Sequence, residues 1–178
     1  RGFQPRNLRW MFTTKCVANF TPLSWLSYAF DYAVWGLNPV GYHLTNIILH
    51  CFNAVLLYHL AARLLKTALP SKNDLSLRAG AAFASLVFAL HPMRVESVVW
   101  ASERRDLLAG LFFLSTLIFY LQAVTERPCG KPRVSLLLAS VASFVLAALS
   151  KPTVVPLHLA LLILDYFPLQ RRGNKLLL

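Results

Sequence analysis

Acid is scarce in this sequence. Its 178 residues hold seven Asp and Glu against 18 Lys and Arg, for a net charge of +11. Charge of either sign is sparse at 14% of residues, where soluble domains run near about a quarter. Cysteine is sparse too: Cys16, Cys51 and Cys129 are odd in number and scattered, with neither a disulfide framework nor a metal-ligand spacing. There is no glycine-rich phosphate loop, no nucleophile elbow and no CxxC pair. No internal repeat, low-complexity tract or soluble domain is visible. No signal-peptide pattern opens the chain.

What is present is apolar. Hydrophobic residues make up 57% of the chain, more than a soluble fold of this size can keep from water. The composition therefore predicts an all-α integral membrane protein, a multi-pass bundle of transmembrane helices. Five apolar stretches are expected to cross, over residues 40–65, 77–90, 107–124, 134–149 and 154–167. A crossing needs about 20 mostly apolar residues, so 77–90 is short enough to be re-entrant instead. Ser150-Lys151-Pro152 divides the last two stretches as a tight hairpin.

Loop charges set the orientation. Arg63, Lys66, Lys72 and Arg78, then Arg127, Lys131 and Arg133, then Arg171, Arg172 and Lys175 fall on one side if all five stretches cross. The positive-inside rule makes that side cytoplasmic. Basicity thus reads as topology, and nucleic-acid binding is set aside. The other side holds the mixed loop from His91 to Asp106, the Lys151 hairpin and residues 1–39. Within 1–39, Trp25, Tyr28, Tyr32 and Trp35 recur at helical spacing. They predict an interfacial amphipathic helix over about residues 22–36; a helix packed on protein with its aromatics as core is the alternative. Asn19-Phe20-Thr21 matches a glycosylation sequon, a weak pattern alone. Residues 169–178 read as a basic cytoplasmic loop and the opening of a further apolar segment, and both chain ends read as cut.

Two constellations could carry chemistry. Between His91 and Asp106 lie Arg94, Glu96, Glu103, Arg104 and Arg105. Charges at a membrane boundary are costly unless solvated, paired or used, and arginine's planar fork suits phosphate. Arg105, Arg94 and Lys151 are therefore the candidate phosphate ligands, with His91, Glu96 and Asp106 in support; Glu96 or Asp106 would hold an arginine in place. A solvated, self-paired loop is the plainer reading. The second constellation is His43, Asn46, His50 and Asn53, one polar stripe on the first apolar helix. It is expected either to bond neighbouring helices or to line a cavity, with His43, Asn46 and His50 the cavity candidates. No acid or thiol completes a metal site there, and no metal or cofactor is expected.

Three ordered stretches carry a resemblance. They are Leu37-Asn38-Pro39 with Gly41-Tyr42-His43-Leu44-Thr45-Asn46 and His50; Ala89-Leu90-His91-Pro92 through Glu96-Ser97-Val98 to Arg105-Asp106-Leu107-Leu108; and Ser150-Lys151-Pro152 with Leu164-Asp165-Tyr166-Phe167-Pro168. Together they resemble the transmembrane-and-tetratricopeptide-repeat (TMTC-like) proteins and their bacterial relatives, over nearly the whole chain. The resemblance implies a GT-C-type fold, here partial. It implies transfer of a sugar, mannose in the eukaryotic members, from a polyprenyl-phosphate donor to a protein hydroxyl on the periplasmic or lumenal side. It also implies an acidic catalytic loop, which would lie before Arg1 after a first span, and tetratricopeptide repeats beyond Leu178. The catalytic base is thus unknown in this sequence, and the chain alone is expected to be inactive. Its implied partners are membrane lipids, the lipid-linked sugar and a protein acceptor. A bacterial inner membrane is the expected location, the endoplasmic reticulum membrane the alternative. Competing functions are a transporter or lipid flippase, and a non-catalytic anchor for a repeat domain.

Overall fold

Proline and asparagine open the helices. In the computed structural model, which describes residues 3–14, 20–125 and 133–166, Pro5, Pro22 and Pro39 each stand at a helix start, where a missing N–H costs nothing. The Asn38 and Asn73 side chains accept from the N–H of Val40 and Leu75, capping the helices that follow. The described elements are all helical: α1 (Pro5–Thr13), α2 (Pro22–Trp35), α3 (Pro39–Ala68), α4 (Asp74–Leu90), α5 (Val95–Val99), α6 (Arg104–Thr125), α7 (Val134–Ser150) and α8 (Leu157–Tyr166), with single 3-10 turns leading into α5, α6 and α8. Gly36 ends α2 at φ +61°, a left-handed turn that lets the chain reverse into α3.

The bundle is patterned inside out. α7 buries Ser140, Ser143, Ala147 and Ser150 while exposing Val134, Leu138, Val141 and Val145. α3 buries Gly41, Asn46, Asn53 and Leu60 and exposes Ile47, Ile48, Phe52 and Val55. Water would favour the reverse; lipid favours small and polar residues between helices. α6 is the central helix, and its Leu114, Leu117, Ile118 and Leu121 join Leu60, Ala147, Val154 and Leu157 in one core.

Antiparallel contacts order the helices by depth. Ser85 donates to Ala54 O at 2.6 Å and His50 lies 3.0 Å from Ala89 O, so α4 retraces α3. Ser140 donates to Thr116 O at 3.0 Å, and Lys151 meets Asp106, so α7 retraces α6. Tyr120 donates to Asp165 at 2.7 Å, placing the far end of α8 beside the far end of α6. Arg63, Lys66, Lys72, Arg78 and Arg133 therefore gather at one end, and the His91–Asp106 loop, Lys151 and α2 at the other. Arg127, Lys131, Arg171, Arg172, Lys175 and the Asn19 sequon lie outside the described residues.

Two helices are long and apolar enough to cross a membrane: Pro39–Ala68, of 30 residues, and Ala101–Thr125, of 25. Asp74–Leu90 reaches crossing length only when joined to Pro92–Val99, across a 54° bend at His91-Pro92. Val134–Ser150 and Pro152–Tyr166 are shorter apolar helices. The protein is thus a multi-pass helical membrane bundle, with helices at all five expected stretches and crossing length in two of them, or three counting the bent pair.

The α2 helix buries Pro22, Ser24, Ala29 and Asp31, and its exposed residues include Phe30, Val34 and Trp35. The four aromatics also part company. Trp25 packs edge-on against Trp10 and Tyr28, at 5.4 and 6.1 Å between centroids, whereas Trp35 folds back over Gly41, where a Cβ would sit 2.1 Å from the indole Cγ.

Candidate functional site

The first turn of α6 divides two environments, because successive residues on a helix point about 100° apart. Arg104 points back into the bundle and is fully buried. Its guanidinium pairs with buried Asp31 of α2, and it donates to Asn46 Oδ1 at 2.8 Å, to Tyr42 O at 2.8 Å and to Ser27 Oγ at 3.1 Å. Thr45 donates to the other Asp31 oxygen at 2.9 Å. Tyr28 lies with its ring centroid 5.0 Å from the guanidinium and donates its hydroxyl to Ala101 O at 2.7 Å. Burial raises the Tyr28 phenol above its ordinary value against the opposing pull of Arg104, so it stays a donor. One arginine thus ties α2, α3 and α6 together.

Asn46 belongs to this network rather than to a cavity wall. Its Nδ2 also donates to Val98 O and Trp100 O at 3.1 and 3.3 Å, so both amide N–H donors are spent on holding the loop before α6. His43 is exposed. Of the cavity candidates on α3, His50 alone stands in the wall of either of the two cavities described below; Asn53, in the same stripe, joins it.

Arg105 faces the other way, into a cavity of about 830 Å³ at the end of the bundle opposite the basic residues. Arg94, Arg105, Lys151, His91, Glu96 and Asp106, assembled from the bend after α4, from α6 and from the α7–α8 hairpin, all line it. Glu103 joins them. The pairing inside differs from the sequence expectation. Arg105 is gripped by Glu103, at 2.8 and 3.3 Å, not by Glu96 or Asp106. The 3-10 turn Ala101–Glu103 brings that carboxylate back over the start of α6. Asp106 instead holds Lys151 at 2.5 Å, with both side chains under a third exposed. Arg94 lies 4.5 Å from the Phe88 ring centroid and has no carboxylate partner among the described residues. Neither does Glu96. His91 Nδ1 accepts from Met93 N at 3.2 Å, capping the turn at the bend. No α2 residue lies in the cavity wall.

A smaller chamber of about 190 Å³ adjoins the cavity and runs between α3, α4 and α6. Phe88, Arg94, Ser97 and Asp106 line both spaces. Among the described residues no cluster of three metal-ligating side chains occurs.

Three cations and three carboxylates share the outer wall, so its charge sums to zero. Two cations are held and one is unpaired by acid. Such a wall can take up an anion by exchanging partners, with Arg94 free to engage first and Arg105 presenting a planar fork.

Sequence comparison relates the chain to a known group. The chain is 34% identical to protein O-mannosyl-transferase Tmtc3 of Drosophila melanogaster over 124 residues, 64% of this chain and 13% of that protein. It is 34% identical to the fly protein O-mannosyl-transferase Tmtc2 over 157 residues, 86% of this chain and 15% of the relative. It is 35% identical to mouse protein O-mannosyl-transferase TMTC4 over 113 residues, 61% of this chain and 15% of the relative. The chain therefore spans only a small part of the curated relatives it matches. No family model and no solved structure matches it. Over the residues shared with these relatives, the chain belongs to the TMTC-like family.

Proposed function

We propose that this chain forms the donor-binding part of a membrane-embedded glycosyltransferase. The donor is a polyprenyl-phosphate sugar, and mannose is the sugar that the relatives' names favour. The acceptor is a protein hydroxyl, on the periplasmic or lumenal side. Relatives from fly and mouse favour the endoplasmic reticulum membrane, with the bacterial inner membrane as the alternative. A GT-C-type catalytic bundle and attached tetratricopeptide repeats complete the proposal.

One observation carries this reading. Arg94, Arg105 and Lys151, far apart in sequence, line a single cavity at the end of the bundle opposite the basic loops. In the proposed reaction the acceptor oxygen attacks the anomeric carbon. The new C–O bond forms as the bond from that carbon to the phosphate oxygen breaks, and the electron pair leaves with the lipid phosphate. A carboxylate takes the acceptor's proton, and the acidic loop implied by the resemblance would supply it. Arg105 and Lys151 would meet the charge growing on the leaving phosphate, where fixed donors are most effective. Glu103 and Asp106 would hold these two cations in place between turnovers.

Replacing Arg105 by Ala in the intact protein should lower sugar transfer at least about 100-fold while leaving the thermal transition near its original temperature. Wild-type turnover in that variant would remove Arg105 from the mechanism. Movement of lipid phosphate across vesicles without sugar transfer would favour a flippase.

A further inference from the structure

Phosphate chemistry in the outer cavity leaves the inner chamber without a role, yet that chamber is not a plain apolar void. Asn53 is 2% exposed, and its Nδ2 donates to Leu107 O at 2.9 Å, which fixes the amide orientation. Asn53 Oδ1 is then a buried acceptor with no partner. On the same face of α3, His50 Nε2 lies 3.0 Å from Ala89 O. A carbonyl only accepts, so Nε2 carries the ring proton and Nδ1 of the neutral imidazole is an acceptor. It is likewise buried and unpartnered. Both residues stand in the chamber wall, with Phe88 and Phe113 as apolar faces. Buried polar atoms are rarely left unbonded, and two bare acceptors side by side call for a ligand that donates twice.

The chamber's own chemistry narrows that ligand. A cation would meet Arg94 in the same wall, whose one carboxylate, Asp106, is already held by Lys151. An isoprenoid tail would leave both acceptors unbonded. A neutral polyol donates hydroxyl protons and offers C–H faces to the two phenyl rings. Size agrees: at about 30 Å³ per liquid water, the chamber holds about six water-sized groups, the bulk of one sugar ring. We propose that the inner chamber is a hydroxyl-binding subsite, in which His50 Nδ1 and Asn53 Oδ1 accept hydrogen bonds from the donor's sugar ring. The proposal rests on the reading of the outer cavity as the lipid-phosphate site. Arg94 and Asp106, common to both spaces, would mark the junction between phosphate and sugar.

Binding of three probes to the intact protein in nanodiscs tests this: polyprenyl phosphate, polyprenyl phosphomannose and polyprenyl phosphoglucose. The wild type should bind one of the sugar-bearing lipids about ten-fold more tightly than the bare lipid, the effect of one or two hydrogen bonds. Asn53→Leu and His50→Phe should each bring that lipid down to the bare-lipid affinity and leave bare-lipid binding within about two-fold. A variant that loses bare-lipid binding too is misfolded, and Phe113→Trp then decides. Phe113 lines the chamber and not the outer cavity, and its ring makes no hydrogen bond, so the larger ring fills the chamber without removing one. It should erase the sugar preference in the same way. A preference that survives Asn53→Leu or Phe113→Trp overturns the subsite, as does a wild type with no preference. Tighter bare-lipid binding in Asn53→Leu would place the tail in the chamber and overturn it equally. The phosphate reading fails separately: Arg105→Ala would then leave bare-lipid affinity unchanged.

Discussion

Arg104 and Arg105 are adjacent in sequence and opposite in circumstance. Arg104 is sealed from solvent, and Asp31, Asn46, Ser27 and the Tyr42 carbonyl all receive its donors. Arg105 is about a third exposed, and its one carboxylate partner among the described residues, Glu103, is two residues away. The first is held by several helices and cannot let go without unsealing a charge. The second is held by a local turn and can change partner when an anion arrives. Burial therefore separates a structural arginine from one available for binding, although charge and residue type are identical.

The comparison breaks most sharply at Asp31. Asp31→Ala leaves the Arg104 guanidinium buried without its counter-charge, and should cost about 3–5 kcal/mol, read as a large fall in the thermal transition. Replacing both partners by apolar residues of similar volume should recover most of that loss. If Asp31→Ala melts like the wild type, Arg104 is not the staple described here. Next in size for stability is Gly41→Ala, because its Cβ must displace the Trp35 indole. A loss of about 1–3 kcal/mol is expected, together with a shift in tryptophan fluorescence.

On the other face the proposed reaction predicts effects on the intact protein's turnover instead of its folding. Lys151→Ala should reduce sugar transfer less than Arg105→Ala, because an ammonium offers a point charge where guanidinium offers a fork. A double-mutant cycle with Asp106→Ala should give a coupling of no more than about 1 kcal/mol in stability, as expected of a partly exposed pair. His43→Ala should be the mildest: exposed and outside both cavities, it should change stability by less than about 0.5 kcal/mol and leave transfer intact. A strong loss of transfer there would mean that the polar stripe works beyond the two chambers.

The polar stripe on α3 shows how far periodicity carries. Helical spacing correctly groups His43, Asn46, His50 and Asn53 on one side of the helix. It cannot say which of them meets a neighbour, because that depends on where α5 and α6 begin. Asn46 falls level with Arg104 and the turn before α6, Asn53 falls level with Leu107, and His43 is left uncovered. The motif Gly41-Tyr42-His43-Leu44-Thr45-Asn46 is explained the same way. Gly41 admits Trp35, Tyr42 and Asn46 receive Arg104, and Thr45 bonds Asp31. In sequence it resembles a site motif; in space most of it is the socket for one arginine. Nothing local distinguishes Asp31, which sits 73 residues before its partner.

By itself the sequence determined the class of protein: an excess of apolar residues beyond what water tolerates, broken by charged loops, leaves only a helical membrane bundle. It also placed the phosphate-binding candidates at one end, because charges gather at the loops. Only the tertiary structure decided which charges are spent on folding and which remain for a ligand. That choice rests on burial and on contacts between helices far apart in the chain, and neither is encoded in local spacing.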